Sequence, residues 1–243
     1  MQKGTVSPLK YDTVLFDADG TLLDFHRSER ESLVEALRQI GVTPTDKIVA
    51  EYSQINDSLW KLLERGEIEK SVLFYHRFEL LFEQFGIHAD PKQVAEDYME
   101  RMCSKGYLLE GADALCARLQ GKVRLYIVTN GTGFIQRGRC AVSGLGQYFE
   151  DSFISDVIGV EKPHRAFFEY VAAHIPDFDP EKTLIVGDSL TSDMQGGVNF
   201  GIDTCWYNPD GKALSEALAG KLTYVVDCYD AVYDVICGQG ESR

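Results

Sequence analysis

The sequence has no Cys-x-x-Cys pair and no cysteine–histidine cluster at metal-binding spacing, although Cys103, Cys116, Cys140, Cys205, Cys228 and Cys237 are present. That excludes a zinc ribbon or a dithiol redox motif. In a chain of 243 residues these thiols read as reduced and mostly buried. No stretch approaches the roughly 18 apolar residues of a membrane span, and residues 1–10 lack the apolar core of a signal peptide. Positive charge is scarce: 24 Lys and Arg stand against 38 Asp and Glu, a formal net charge of −14. Such a chain repels phosphate backbones and anionic lipids, which argues against nucleic-acid and membrane partners. The expectation is a soluble cytoplasmic protein, a monomer or weak dimer. An enzyme this acidic, acting on an anionic substrate, needs local cations from a metal or a placed lysine. Internal repeats and low-complexity tracts are also missing.

What is present is a hydrophobic content of 44%, enough for a proper core in one large domain or two modest ones. Residues 1–11 read as a short tail. An apolar strand over 13–16 follows and runs into a turn. From about 28 to 105 strand signals almost vanish, and four helices are predicted, near 33–40, 45–63, 71–85 and 93–102, with Gly41 and Gly86 as stops and Pro91 as a start. Beyond Gly111, strands alternate with helices. Strands are predicted at 123–129, 153–158, 183–188, 203–207 and 224–226, and helices at 112–119, 134–142, 166–175, 192–200 and 229–236. Alternation of this kind implies right-handed crossovers and a parallel sheet. The predicted fold is α/β, a Rossmann-like parallel-sheet core (1–24 and 107–243) interrupted after its first strand by a helical module (25–106).

In a parallel sheet, ligands gather beyond the carboxyl ends of the strands, and three strands here end in reactive residues. The first runs into Asp17-Ala18-Asp19-Gly20-Thr21-Leu22-Leu23-Asp24. Paired acids at the end of a buried strand are unfavourable unless neutralised, and a hard divalent cation does that well. Asp17 is the candidate nucleophile, able to attack phosphorus and form an aspartyl-phosphate. Asp19 is the candidate general acid/base. Asp188 adds a third oxygen donor, and hard oxygen donors select Mg²⁺. Thr129 offers a hydroxyl, and the Asn130-Gly131 backbone offers N–H groups to a phosphoryl oxygen. Lys162, before Pro163, is either a solvated surface lysine or a fixed cation aimed at the site. Asp193 is either a favourable first-turn charge or an outer residue that holds Lys162 or a metal-bound water. In the helical module, Trp60, Phe74, Tyr75 and Phe78 are either packing or platforms for a base, Trp60 foremost. His26 faces either the site or solvent.

The four segments DxDGTLxD, Thr129-Asn130-Gly131, Glu161-Lys162-Pro163 and Gly187-Asp188-Ser189-Leu190-Thr191-Ser192-Asp193, in that order, resemble the haloacid dehalogenase-like hydrolase superfamily over essentially the whole chain. The resemblance implies Asp17 as nucleophile, Asp19 as acid/base and metal ligand through its backbone carbonyl, Thr129 and Lys162 on the phosphate, and Asp17 and Asp188 on Mg²⁺. It also implies that residues 25–106 form a cap domain. True dehalogenases of the superfamily lack the second acid of DxD; with Asp19 in place, phosphoryl transfer from a small phosphorylated metabolite is expected. Asn56 to Trp60, Arg77-Phe78-Glu79, Ile158 to Pro163 and Thr204-Cys205-Trp206-Tyr207-Asn208 resemble bacterial 5′-nucleotidases of pyrimidine and modified nucleotides, some of which carry Glu where Gly20 stands. The expected activity is a Mg²⁺-dependent nucleoside 5′-monophosphate phosphatase. A sugar-phosphate phosphatase or phosphomutase is the alternative, and a non-catalytic phosphate-binding module is the rival from another class.

Overall fold

The computed structural model describes residues 9–238. Most of the tail expected over residues 1–11 lies outside the described residues. Tyr11, at its end, is fully buried and donates its hydroxyl to Asp203, so it belongs to the fold.

In chain order, β1 is Thr13–Phe16, α1 Phe25–Gln39, α2 Asp46–Glu64, α3 Lys70–Phe85, α4 Pro91–Cys103 and α5 Ala112–Leu119. Then come β2 Arg124–Thr129, α6 Gly133–Ser143, β3 Asp151–Ile154, α7 Ser155–Ile158, α8 Arg165–His174 and β4 Thr183–Gly187. A π-helical turn, Leu190–Met194, leads to α9 Gln195–Phe200, β5 Asp203–Tyr207, β6 Tyr224–Val226 and α10 Tyr229–Ile236. The chain forms two compact units. Among the described residues, the first draws on 9–22, 108–130 and 145–238, and the second on Leu23–Tyr107 and Gly131–Gly144.

The first unit is built on a parallel sheet in the order β3-β2-β1-β4-β5-β6. β1 is central, with Phe16 level with Ile127 of β2 and Val186 of β4. The chain steps outward from β1 through β2 to β3, then restarts on the other side with β4. The switch point therefore lies at the carboxyl ends of β1 and β4, where open α/β sheets leave a crevice. Parallel sheets are covered on both faces, which is why β1 and β4 read as unbroken apolar runs. Leu15, Ile185 and Trp206 share a buried cluster with Phe167, Phe168 and Met194. Each such side chain contributes on the order of 2 kcal/mol, so the strand ends are rigid supports for whatever follows them. The strand expected at 153–158 is displaced: β3 spans Asp151–Ile154, and Ser155–Ile158 is a helical turn closed by Gly159 in the left-handed region. β3 is the sheet edge and its first two residues are exposed, so the apolar signal begins only at Phe153.

The second unit is helical. Asp24 caps α1, Thr45 caps α2, and Asp90 with Pro91 starts α4. Leu33, Leu37, Tyr52, Phe78, Leu81 and Tyr98 form its core, joined by Ile135 of α6. α6 approaches α4 so closely that a Cβ on Gly138 would stand 2.1 Å from the Cys103 sulfur. This contact groups α6 with the inserted helices rather than with the sheet. Two segments singled out in the sequence meet here: Arg77 donates to Asn56 Oδ1 at 2.9 Å, and Asn56 donates to Glu29 at 2.9 Å. None of the six cysteines forms a disulfide, but only Cys116 and Cys205 are buried; Cys228 is exposed and the others are half-buried. Among the described residues, no helix is long and apolar enough to cross a membrane.

Candidate active site

Pairing continues one residue past β1, because the Asp17 N–H donates to the Val186 carbonyl at 2.9 Å. Asp17 therefore leaves the sheet at the switch point with its carboxylate buried. Gly20 then takes φ +81°, and Leu22 N–H closes the turn on the Ala18 carbonyl at 2.9 Å. A Cβ on Gly20 would stand 2.6 Å from Asp188 Oδ2, so both the backbone conformation and the close approach call for glycine. Asp19 is half-buried on the same turn.

Lys162 is 1% exposed, which removes the surface-lysine alternative. Its ammonium donates to Asp17 Oδ1 at 2.7 Å, Asp193 Oδ1 at 2.6 Å and the Val128 carbonyl at 2.7 Å. An ammonium has three donors, and all are engaged. Asn130 fixes its main chain from both sides, accepting from Lys162 N–H and donating to Lys162 C=O, each at 2.8 Å. The Lys162–Pro163 peptide is cis. The Asn130 side chain is thus committed to Lys162, and the group expected at the phosphate is its backbone N–H.

Asp193 is fully buried. The π-helical turn, with Met194 N–H on the Ser189 carbonyl at 3.1 Å, brings Asp193 back over the end of β4. Its second oxygen accepts from Ser189 N–H at 3.1 Å. A Cβ on Gly187 would stand 2.3 Å from that oxygen, so the fold-back depends on glycine there. Of the two roles open to Asp193 in the sequence, the structure displays the contact with Lys162. Asp188 is held through its main chain, with N–H donating to Thr21 Oγ1 at 3.1 Å and C=O accepting from the Trp206 indole at 2.9 Å. Thr21 also reaches Asp17 Oδ2, at a long 3.5 Å. Neither Thr21 nor Trp206 stood out as functional in the sequence. The first was hidden in the quoted DxDGT string, and the second resembles an ordinary core residue of a strand.

Asp17, Asp188 and Asp193 bring carboxylate oxygens within 4.8 Å of one another. Of these three carboxylates, Asp17 and Asp193 pair with the Lys162 ammonium. Burial, then Asp193, pushes Asp188 up to about 7. Burial and then Asp193 hold Asp17 well above the ordinary carboxylate range, with Lys162 opposing. Burial alone would lower the Lys162 ammonium, but Asp17 and Asp193 outweigh it and raise it. A cluster of hard oxygen donors of this kind fits a divalent cation such as Mg²⁺.

Thr129 is buried at the end of β2. The remaining named residues fall in the second unit. Gly131 accepts from the Lys70 ammonium at 3.3 Å. Trp60 is half-buried against Leu59, Leu63 and Leu73, with the Lys70 ammonium 5.8 Å from its ring. Phe78 is fully buried against Tyr52 and Tyr98, so it is packing. His26 is exposed.

Residues 11–201 match the family described as haloacid dehalogenase-like hydrolase. The chain is 40% identical to the pyrimidine 5′-nucleotidase PynA of Streptococcus pneumoniae, over 93% of this chain and 95% of that one. It is 31% identical to the pyrimidine 5′-nucleotidase YjjG of Escherichia coli, over 94% and 99%. The crystal structure of the Bacillus subtilis HAD-hydrolase YfnB bound to magnesium is similar with a TM-score of 0.88 and 36% identity, covering 93% of this chain and 99% of that one.

Proposed function

The chain belongs to the haloacid dehalogenase-like hydrolase family, and on that premise we propose that it is a Mg²⁺-dependent phosphatase of nucleoside 5′-monophosphates, pyrimidine nucleotides first, acting through an aspartyl-phosphate. The observation that carries this reading is the pair of unequal oxygens on Asp17. Oδ1 is fixed by Lys162 at 2.7 Å, while Oδ2 meets Thr21 at a long 3.5 Å. A carboxylate held by one oxygen with the other lightly engaged is set up to attack. Two pyrimidine 5′-nucleotidases among its relatives, matched over nearly their whole length, support the substrate class.

In this mechanism Asp17 Oδ2 forms a bond to phosphorus as the P–O ester bond breaks, and Asp19 gives its proton to the departing alkoxide. Asp19 then takes a proton from water, the water oxygen bonds to phosphorus, and the Asp17–phosphorus bond breaks to release phosphate. Lys162 has no donor to spare for the substrate. Its part is to orient Asp17 and to offset the charge of Asp17 and Asp193. Thr129 and the Asn130-Gly131 backbone donate to phosphoryl oxygens. Mg²⁺, held by Asp17, Asp188 and the Asp19 backbone carbonyl, would screen the phosphoryl charge from the attacking carboxylate. The helical segment 25–106 is assigned the role of a substrate-selecting cap on the core 1–24 and 107–243.

The test is phosphate release from a panel of nucleoside monophosphates and sugar phosphates, with Mg²⁺ and with EDTA. The expected outcome is the highest kcat/KM on pyrimidine 5′-monophosphates and no turnover in EDTA. Sugar phosphates turned over in preference to every nucleotide, or activity untouched by EDTA, would overturn the reading.

A further inference from the structure

The segment Thr204-Cys205-Trp206-Tyr207-Asn208 has no part in the chemistry above, yet it is built against the site. Register sets Trp206 of β5 opposite Gly187, the last residue of β4. The next residue along is Asp188, and the Trp206 indole N–H donates to its main-chain carbonyl at 2.9 Å. The indole is 2% exposed and packs in the cluster that contains Leu15, Ile185 and Met194.

On the other side of Asp188, its N–H is held by Thr21 at 3.1 Å. Both peptide groups of Asp188 are therefore pinned by side chains from neighbouring segments. The carboxylate lies over Gly20, in the space a Cβ there would take, at 2.6 Å from Oδ2. The strand end that carries the indole is itself anchored. Asn208 N–H donates to the Val226 carbonyl at 2.7 Å. The Asn208 side chain accepts from Lys212 N–H at 2.8 Å and donates to Lys212 C=O at 3.0 Å, closing the loop that follows β5.

We propose that Trp206 is a positioning residue for the divalent cation: its indole N–H fixes the main chain of Asp188 so that the carboxylate meets the metal in a single orientation. Burial obliges any indole N–H to find an acceptor, and here the acceptor is the main chain of a candidate metal ligand, whereas a phenyl ring would pack nearly as well without it. Without the N–H, the Asp188 carbonyl loses its donor and the peptide that carries the carboxylate can rotate. Outer residues that orient a ligand in this way commonly change metal affinity ten-fold or more. The inference rests on the reading of Asp188 as a Mg²⁺ ligand.

The experiment is calorimetric titration of MgCl₂ into EDTA-stripped enzyme for the wild type, Trp206→Phe and Asp188→Asn. Trp206→Phe is expected to weaken Mg²⁺ binding by about ten-fold, and phosphatase activity lost at limiting Mg²⁺ should return as Mg²⁺ is raised. A packing role would lower the melting temperature in EDTA and leave the Mg²⁺ Kd unmoved, and that result overturns the proposal. Wild-type Mg²⁺ binding by Asp188→Asn overturns the ligand reading instead. If Trp206→Phe does not fold, the same titration on enzyme carrying β-(3-benzothienyl)alanine at position 206, which keeps the ring shape and replaces N–H with sulfur, decides between the two.

Discussion

Replacing Lys162 by methionine removes a charge while keeping most of the side-chain volume. In the structure the ammonium lies 2.7 Å from Asp17 and 2.6 Å from Asp193, with both partners buried. At an effective dielectric of about 20, each attraction is on the order of 6 kcal/mol before desolvation is counted. Methionine leaves both carboxylates without their cation and the Val128 carbonyl without its donor. Breaking a buried pair from one side destabilises by about 3–5 kcal/mol, a large share of the roughly 5–15 kcal/mol that holds a domain together. The assay is urea denaturation followed by circular dichroism, in EDTA, at about pH 7.5 and again at lower pH. In the fold, Asp17 already binds its proton more tightly than the ordinary value of 3.8, and loss of the opposing Lys162 raises it further. A folded pKa above the unfolded one means that acidification is accompanied by proton uptake on folding. The variant should therefore regain stability as the pH falls toward about 4, and lose it as the pH rises through the folded pKa of Asp17. Lys162 in the wild type, raised above 10.5, contributes fully at neutral pH and is lost only as the pH climbs through that raised value. Adding Asp193→Asn to Lys162→Met removes one stranded charge and should recover about 1–3 kcal/mol. A single variant within about 1 kcal/mol of the wild type, or one indifferent to pH, would refute the claim that Lys162 compensates a buried carboxylate pair.

Asp17→Asn should abolish turnover by at least ~10³-fold while the fold persists, since the amide is nearly isosteric but is neither nucleophile nor anion; a folded variant retaining a tenth of the activity would rule out the aspartyl-phosphate route. Trp60→Ala should raise KM for the preferred pyrimidine nucleotide about ten-fold, the ~1–2 kcal/mol of one base–aromatic stack, with a much smaller effect on p-nitrophenyl phosphate. Equal losses on the two substrates would make Trp60 simply a packing partner of Leu59, Leu63 and Leu73.

The candidate site residues were legible because of where the pattern puts them. Asp17 at the end of a doubly covered strand called for a partner, Lys162 was one of two readings of a lysine before proline, and the structure brings the two together. The residues that hold them were not legible, because their types are common for other reasons. Asn130 reads as a turn residue or phosphate donor, yet its amide grips the Lys162 main chain 32 residues away, a relation with no periodic signature. Trp206 reads as strand core, and only the register of β5 on β4 brings its N–H to the Asp188 carbonyl. The edge strand β3 was misplaced by the same logic in reverse, since its exposed first residues carry no apolar signal. Asp193 shows why local reading stops where it does. From sequence its place at a helix start fits the helix dipole as well as a contact with Lys162. The turn is closed by an i to i−5 bond in place of i to i−4, and the missing Cβ of Gly187 leaves room for Asp193, which reaches Lys162. Neither feature has a compositional mark, because glycine at a strand end and serine at a helix cap are ordinary. Helices, strands and loaded strand ends follow from interactions within a few residues, whereas the wiring among those ends follows from contacts set only after the sheet has assembled. That order also says where substitutions will mislead: changes at Asn130, Gly187 or Trp206 look conservative by residue type and act directly on the geometry of Asp17, Lys162 and Asp188.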